Sequence, residues 1–327
     1  MRSALLVAVA LCAACKGEPF RPDAQIDGPS VDAYKPPWFF PTPGEVKNWD
    51  IQLAAPYDFA TARAMIVVDL WEVVPSAMTI TYDDASTVNV PAGSQPTAIA
   101  TLAAAGTTVI CQVGTGAMKL TDPDAMKFPG YEANPPNRPT AVAAGSAIGW
   151  STSLTDANER FVDFRIAGAA AVVMKRITFA KQIGCDGVLA YRNDAASFTA
   201  ASGFTHGFSE ITSAQETDWI VDVAKAGHDI MISVGGRGGH GAPNVGEIDD
   251  DYDWLMAERC TEIPDCDLAR PFIESQRAVF GLDYDVQDDG TTANALATVC
   301  ARWVNGMVDG VMKQATLDGS FRMVCGA

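Results

Sequence analysis

The stretch Gly184-Cys185-Asp186-Gly187-Val188-Leu189-Ala190-Tyr191 decides the fold of this chain. It joins a predicted helix over Gly168–Ile183, in which apolar residues recur at roughly helical spacing, to a predicted strand over Gly187–Tyr191. An amphipathic helix followed at once by a short apolar strand is the unit from which parallel sheets with crossover helices are built. The stretch therefore predicts an α/β fold.

The same alternation of strand and helix continues from Trp49 towards the C-terminus. The predicted strands are Trp49–Leu53, Met65–Leu70, Thr108–Val113, Arg160–Phe164, Gly187–Tyr191, Asp229–Val234, Trp254–Glu258 and Ala278–Tyr284. The predicted helices are Thr97–Ala105, Gly168–Ile183, Ser213–Ala226, Ala269–Gln276 and Ala293–Gln314. Eight such units predict a single-domain (β/α)₈ TIM barrel. A doubly wound open sheet is the alternative, but no Gly-x-Gly-x-x-Gly motif follows the first strand.

Two segments between the predicted elements are candidates for the barrel mouth. Trp71–Pro96 is longer than a βα loop requires. Within it, Thr79–Tyr82 and Thr87–Val90 are predicted to pair as a hairpin over the mouth, and a disordered insertion is the alternative. The glycine-rich run Gly235–Gly241 lacks the Lys-Ser/Thr ending of a phosphate-binding loop, so we interpret it as a flexible loop at the mouth.

The N-terminus has the features of an export signal. Residues 1–15 contain Arg2 and then an apolar run that is too short to span a bilayer. Cys12-Ala13-Ala14-Cys15 resembles a lipobox, which predicts lipidation of Cys15 and a membrane contact through that lipid alone. Ordinary cleavage, which would yield a secreted protein, is the alternative.

The region that follows the signal divides into a linker and the barrel. Residues 16–45 are rich in Pro, Asp and Gly and are predicted to act as a tether, and residues 46–327 are predicted to form the barrel. Trp38, Phe39 and Phe40 are the apolar exception in the linker, and they are predicted to dock against the barrel.

Six cysteines follow the signal, and export would place them in an oxidising compartment where disulfides form. The first predicted pair is Cys260 with Cys266, which would close a short loop, and the second is Cys300 with Cys325. Cys111 and Cys185 lie in or beside predicted strands, so buried free thiols and a third bridge are both open.

The formal net charge of −17 argues against nucleic acid as a partner, because phosphate backbones require basic patches. The same charge suits a cationic ligand. His206, His228 and His240 do not show the spacing of metal ligands, and we predict neither a metal site nor a nicotinamide or flavin cofactor.

Polar side chains collect at the C-terminal ends of the predicted strands, where barrel enzymes place their catalytic groups. These residues are Gln52, Asp69, Gln112, Asp163, Tyr191, Arg192, Asp194, Glu258, Asp283 and Tyr284. Several carboxylates at one mouth suit glycosidic hydrolysis, in which one carboxyl protonates the leaving oxygen and the other activates water or attacks the anomeric carbon.

A series of short motifs follows one order along the chain between Trp49 and Cys325. The motifs are Trp49-Asp50-Ile51-Gln52-Leu53, Asp69-Leu70, Val109-Ile110-Cys111, Pro123-Asp124-Ala125, Phe128-Pro129, Glu159–Arg165, Gly184–Val188, Ser202-Gly203-Phe204, Glu258 with Cys260 and Cys266, and Cys300 with Cys325. This ordered set resembles the endo-α-1,4-polygalactosaminidase family of glycoside hydrolases (family 114). The chain also departs from the family. Where the family has Glu-Pro-Asp-Asn, whose carboxylates are implicated in catalysis, this chain has Leu189-Ala190-Tyr191-Arg192.

The resemblance implies an enzyme that hydrolyses a cationic, galactosamine-containing polysaccharide, and we expect the protein to be a monomer. Glu258 is the expected acid/base, with Asp69 or Asp194 as the second carboxylate. The expected substrate-binding residues are Gln52, Trp71, Tyr191, Arg192, Asp283 and Tyr284. Tyr191 could replace a carboxylate as nucleophile if Arg192 lowered its pKa. The alternative is a non-catalytic barrel that binds glycan at the cell surface.

Overall fold

A computed structural model describes residues 36–136, 141–153, 158–198, 205–237, 248–262, 269–303 and 308–325 of the protein. Eight parallel strands form the TIM barrel, in the spatial order β1 (Trp49–Gln52), β2 (Met65–Asp69), β5 (Thr108–Gly114), β9 (Gly187–Tyr191), β10 (Ser233–Arg237), β11 (Trp254–Glu258), β12 (Ala278–Tyr284) and β13 (Val308–Lys313). The short strand β14 (Met323–Val324) pairs antiparallel with β13.

Helices and two smaller sheets surround these strands. The helices are α1 (Ala98–Ala104), α2 (Ala167–Ile183), α3 (Ser213–Asp229), α4 (Arg270–Glu274) and α5 (Leu296–Trp303). Strands β3 (Met78–Thr81) and β4 (Thr87–Val90) form a hairpin, which confirms the predicted pairing. Strands β6 (Ala117–Lys119), β7 (Ile148–Ser151) and β8 (Glu159–Val162) form an antiparallel sheet in the order β6-β8-β7.

Side chains join the first barrel strand to the last. The Trp49 indole donates to the carbonyl of Asp309 at 2.9 Å, and Lys313 Nζ lies 2.9 Å from Asp50 Oδ1. Arg322, just before β14, donates two hydrogen bonds to the carbonyl of Trp49. Lys313 and Asp50 are both fully buried, and each therefore needs the other as a partner of opposite charge.

Two predicted elements were wrong, and both errors concern which strands enter the barrel. The segment predicted as Arg160–Phe164 is β8, and it pairs with β6 and β7 outside the barrel. The eighth barrel strand, Val308–Lys313, lies within the segment Ala293–Gln314 that the sequence predicted to be a helix. A short apolar run does not encode which neighbour it will pair with, so its pattern alone could not assign it to a sheet.

The predicted bounds of the strand Asp229–Val234 were also wrong. Helix α3 continues to Asp229, and the strand runs from Ser233 to Arg237. The beginning of the glycine-rich run is therefore a fully buried strand rather than a flexible loop, while residues 238–247 lie outside the described part of the chain. This shift brings Arg237 to the C-terminal end of a barrel strand.

Two disulfides link elements of the described barrel. Cys111 in β5 is bonded to Cys185, which lies just before β9, and this settles the open question in favour of a bridge. Cys300 in α5 is bonded to Cys325 beyond β14. Cys266, the predicted partner of Cys260, lies outside the described residues.

The segment before β1 packs against the barrel. Trp38 stacks on His228 with ring centroids 4.8 Å apart, and its indole donates to Asp253 at 3.1 Å. Phe39 packs against the inner core, and Phe40 lies 5.5 Å from the guanidinium of Arg277. The predicted docking of this aromatic triplet is therefore confirmed. No helix in the described part of the chain is long and apolar enough to cross a membrane.

Candidate functional site

Period-two alternation along the barrel strands decides which side chains face the mouth. One apolar cluster fills the barrel interior and includes Ile51, Met65, Val67, Ile110, Leu189, Trp254, Met256, Phe280, Leu282 and Val311. Successive side chains on a strand point to opposite faces, so this inner face continues towards the C-terminal ends at alternate positions. The polar and aromatic residues on it are Asp69, Gln112, Tyr191, Arg237, Glu258 and Tyr284.

Arg237 and Glu258 form the centre of this group. Arg237 donates from Nη2 to Glu258 Oε1 at 2.9 Å and from Nε to Oε2 at 3.2 Å. Its Nη1 donates to Gln112 at 2.5 Å, and its guanidinium lies 4.9 Å from the ring centroid of Tyr191. Tyr284 donates its hydroxyl to Glu258 Oε1. Both oxygens of Glu258 therefore accept hydrogen bonds, and two of these bonds come from the charged guanidinium of Arg237.

Two glycines allow Arg237 to reach this position. A Cβ on Gly235 would lie 2.3 Å from the ring of Trp254, and one on Gly236 would lie 2.6 Å from the ring of Tyr252. The large rings of the neighbouring residues occupy the space that side chains on β10 would need. Sequence reasoning interpreted these glycines as a loop and therefore missed Arg237.

A small open cleft, called the cavity below, lies at the mouth beside this pair. Its charged lining residues are Asp69, Lys119, Asp122, Glu159 and Arg176. Three carboxylates and two cations leave one net negative charge in the lining. Trp71, Gln112 and Tyr191 contribute further walls.

Glu159 is a mouth carboxylate that the sequence analysis did not select. It begins β8, and its Oε1 accepts a hydrogen bond from Thr152 at 2.6 Å and from the hydroxyl of Tyr191 at 3.5 Å. The nearest guanidinium nitrogen, Nε of Arg192, is 3.8 Å away. Glu159 is the first residue of its strand, so in a barrel strand it would lie at the N-terminal end, away from the mouth. Because β8 instead pairs antiparallel with β6, Glu159 lies at the cavity.

Asp69 also lines the cavity. Its Oδ2 pairs with Lys119 Nζ at 3.0 Å, and its Oδ1 accepts from the backbone N–H of Trp71 at 3.0 Å. The Trp71 ring packs on Phe179 at 5.8 Å and lies 5.4 Å from the guanidinium of Arg176. The structure thus brings the predicted residues Asp69 and Trp71 together at the cavity.

Tyr191 is present at the mouth but is not activated as a nucleophile. Burial raises the pKa of the Tyr191 phenol to about 12, and the nearby charges of Arg192 and Arg237 offset this effect only in part. The phenol is therefore protonated at neutral pH, and the predicted lowering by Arg192 is outweighed by the loss of hydration.

Arg192 and Asp194 follow β9 in a strained turn. Arg192 has a left-handed backbone with φ of 66°, which is uncommon for a residue with a side chain. Its guanidinium lies 3.6 Å from Asp194 and 3.8 Å from Glu159, and both distances exceed normal hydrogen-bond lengths. Asp194 is therefore positioned by an ion pair at the edge of the site.

Gln52 and Asp283 face away from the mouth cluster. Gln52 is fully buried and hydrogen-bonds Asp50 at 2.9 Å and the backbone N–H of Asp58 at 2.7 Å. Asp283 is fully buried and accepts from the hydroxyl of Thr261 at 2.8 Å. Through these contacts both side chains fix adjacent loops, and the expectation that Gln52 and Asp283 bind substrate stays a prediction.

The parallel barrel and its carboxylate-lined mouth define the class as a TIM barrel of the glycoside hydrolase type. The chain belongs to glycoside-hydrolase family GH114, whose family model matches residues 29–327. The resemblance that the motifs indicated is therefore confirmed.

Solved structures show the same fold. Aspergillus fumigatus Ega3, in complex with galactosamine, is 19% identical with a TM-score of 0.66, and the match covers 90% of this chain and 100% of that one. The glycoside hydrolase domain of PelA from Pseudomonas aeruginosa is 10% identical with a TM-score of 0.52, and covers 84% and 96% respectively. No curated protein matches the chain.

Proposed function

We propose that this protein is an exported glycoside hydrolase that cleaves a galactosamine-containing polysaccharide at the mouth of its barrel. The observation that carries the proposal is the presence of two carboxylates, Asp69 and Glu159, in the lining of one cavity. Membership of family GH114 and the fold shared with a galactosamine-bound structure support it. The formal charge of −17 favours the approach of a cationic polymer.

The contacts of the two cavity carboxylates suggest different roles. Glu159 accepts from two neutral hydroxyls and lies 3.8 Å from the guanidinium of Arg192, and we assign it the role of proton donor to the leaving oxygen. Asp69 is paired with Lys119 at 3.0 Å, so it suits the ionised carboxylate that acts on the anomeric carbon or on water. Tyr191 and Trp71 would offer ring faces to the sugar.

Glu258 receives a different role from the one expected of an acid/base. Its two oxygens are held by Arg237 and Tyr284, so donating a proton would require breaking charge-assisted hydrogen bonds. We assign it to positioning Arg237 and Tyr284. Asp194, which is paired with Arg192, lies at the edge of the site and is assigned to binding.

Export is part of the proposal. The disulfides Cys111–Cys185 and Cys300–Cys325 support an oxidising compartment, because such bonds rarely persist in the cytosol. Residues 1–15 supply the signal pattern, and Cys15 would carry the lipid. Both lie outside the described residues.

One observation favours a second function, in which the barrel binds glycan without cleaving it. Arg237 satisfies both oxygens of Glu258, and protonated Tyr191 stands where the family has a carboxylate. A mouth whose charges are internally paired can hold a sugar yet lack a free proton donor. Cavity binding is common to both functions, and only turnover separates them.

The test is the release of reducing ends from partially deacetylated galactosamine polymer. We expect Glu159→Gln and Asp69→Asn each to lower the rate by at least about a hundredfold, the usual cost of losing an acid or base. Glu274→Gln, on exposed α4, and Asp83→Asn, at an exposed carboxylate, are the matched controls and should retain full activity.

Three other results would change the assignment. Loss of turnover in Glu258→Gln, with activity retained in Glu159→Gln, would return the acid/base role to Glu258. Binding of the polymer by the wild type without any release would establish the glycan-binding function. If the protein neither releases reducing ends nor binds the polymer, both functions are contradicted.

A further inference from the structure

Lys119 occupies an unusual place in the cavity. It is the last residue of β6, and its Nζ lies 3.0 Å from Asp69 Oδ2. Asp122 and Glu159 line the same cavity, and the backbone N–H of Lys119 itself donates to Asp122 at 3.0 Å. The ammonium group therefore contacts Asp69 directly, and two further carboxylates lie near it, at the place where a cationic sugar would enter.

The ammonium group of Lys119 stays charged in this setting. Burial lowers the pKa of Lys119, but the charges of Asp69, Asp122 and Glu159 together outweigh burial and raise it overall. A neutral amine would leave the Asp69 carboxylate without its ion-pair partner. The site thus selects for a positive charge next to Asp69.

The two cations of the cavity differ in their freedom to move. Arg176 is buried, with 1% of its side chain exposed, and its guanidinium is fixed to Asp124 at 2.5 and 2.9 Å and to Asp122 at 2.9 Å. The Lys119 side chain is 43% exposed and holds one carboxylate through a flexible four-carbon stem. Lys119 can therefore move its charge towards solvent, whereas Arg176 cannot.

We propose that Lys119 is an internal competitor that occupies the ammonium position of the ligand at Asp69 and is displaced when an amino sugar binds. This inference rests on the proposed binding of a galactosamine polymer and adds a specificity residue to it. A protonated amine can replace Lys119 at Asp69 without leaving the carboxylate unpaired. An N-acetylated sugar has no charge with which to do so, and Lys119 would stay in place.

The test compares wild type, Lys119→Met and Lys119→Gln in calorimetric titrations with two galactosamine oligosaccharides of equal length, one deacetylated and one fully N-acetylated. Removing the competing charge should tighten binding of the deacetylated oligosaccharide about five- to tenfold and leave the acetylated one unchanged. The gain should shrink as salt is added.

Lys175→Met is the matched control, because it removes the same charge from an ion pair with exposed Asp83 and changes the net charge of the protein equally. Its affinity for both oligosaccharides should equal that of the wild type. A gain of the same size in Lys175→Met would assign the effect to overall charge and overturn the proposal.

Two further outcomes also decide the question. In the first, the wild type binds the deacetylated oligosaccharide, and both Lys119 variants bind it equally or more weakly while their melting temperatures are preserved. This result would overturn the role of Lys119 and leave the proposed function standing. If neither the wild type nor the variants bind either oligosaccharide, the proposed function and the role of Lys119 are both wrong.

Discussion

The ion pair between Arg237 and Glu258 should couple two side chains of the mouth strongly. The two side chains are 7% and 14% exposed, and their two contacts measure 2.9 and 3.2 Å. Charges about 4 Å apart attract by about 4 kcal/mol at an effective dielectric constant of about 20. Removing one partner leaves a buried charge unpaired, which typically costs about 3–5 kcal/mol. We therefore expect Arg237→Met and Glu258→Gln each to lower the free energy of unfolding by roughly 3 kcal/mol.

A double-mutant cycle isolates the coupling. The double variant should be less destabilised than the sum of the single variants by about 2–3 kcal/mol, measured by urea unfolding at pH 7. The exposed pair Arg270 and Glu274, with a contact of 2.6 Å, is the control and should give a coupling of about 0.3–0.5 kcal/mol. If the effects of Arg237→Met and Glu258→Gln add within about 0.5 kcal/mol, the reasoning about a buried mouth pair is refuted.

Three further predictions concern single residues. Burial raises the pKa of Glu216 from 4.5 to about 8, so folding favours its protonated form and stability falls as the pH rises between these values. Glu216→Gln should remove this loss of stability, measured by urea unfolding at pH 5 and 8. An unchanged pH dependence in Glu216→Gln would contradict the prediction. Gly235→Ala places a Cβ 2.3 Å from the Trp254 ring and should lower stability by about 1–3 kcal/mol, which an unchanged melting temperature would disprove. Tyr191→Phe should keep any turnover within about tenfold of wild type, because a protonated phenol is not the nucleophile; complete loss of turnover would restore that role.

Most of the barrel could be predicted because its strands are buried apolar runs separated by amphipathic helices. Met65–Asp69, Gly187–Tyr191 and Trp254–Glu258 agree with their predicted strands to within a residue. The pattern failed where pairing partners matter more than composition. Phe161 and Val162 in β8 are buried like the residues of a barrel strand, yet the partners of β8 are β6 and β7. Pairing is a tertiary choice that the local sequence does not contain.

The candidate site was predicted in part, and period-two alternation explains most of the outcome. Asp69, Tyr191 and Glu258 continue the inner face of their strands, whereas Asp283 falls on the opposite face from Tyr284. Applying that alternation to each strand would have separated these neighbours from the sequence alone. Arg237 could not be found in this way, because the two glycines before it carry no side chain from which a face can be inferred.

Asp69 and Glu159 line the cavity in which we propose that the sugar binds. The most direct test is a calorimetric titration of a deacetylated galactosamine oligosaccharide into wild type, Asp69→Asn and Asp83→Asn. Asp69→Asn should weaken binding at least about tenfold, because it removes the carboxylate that we propose pairs with the ligand ammonium, and Asp83→Asn should bind like the wild type. Equal affinity in all three proteins would show that the sugar binds elsewhere and would contradict the account.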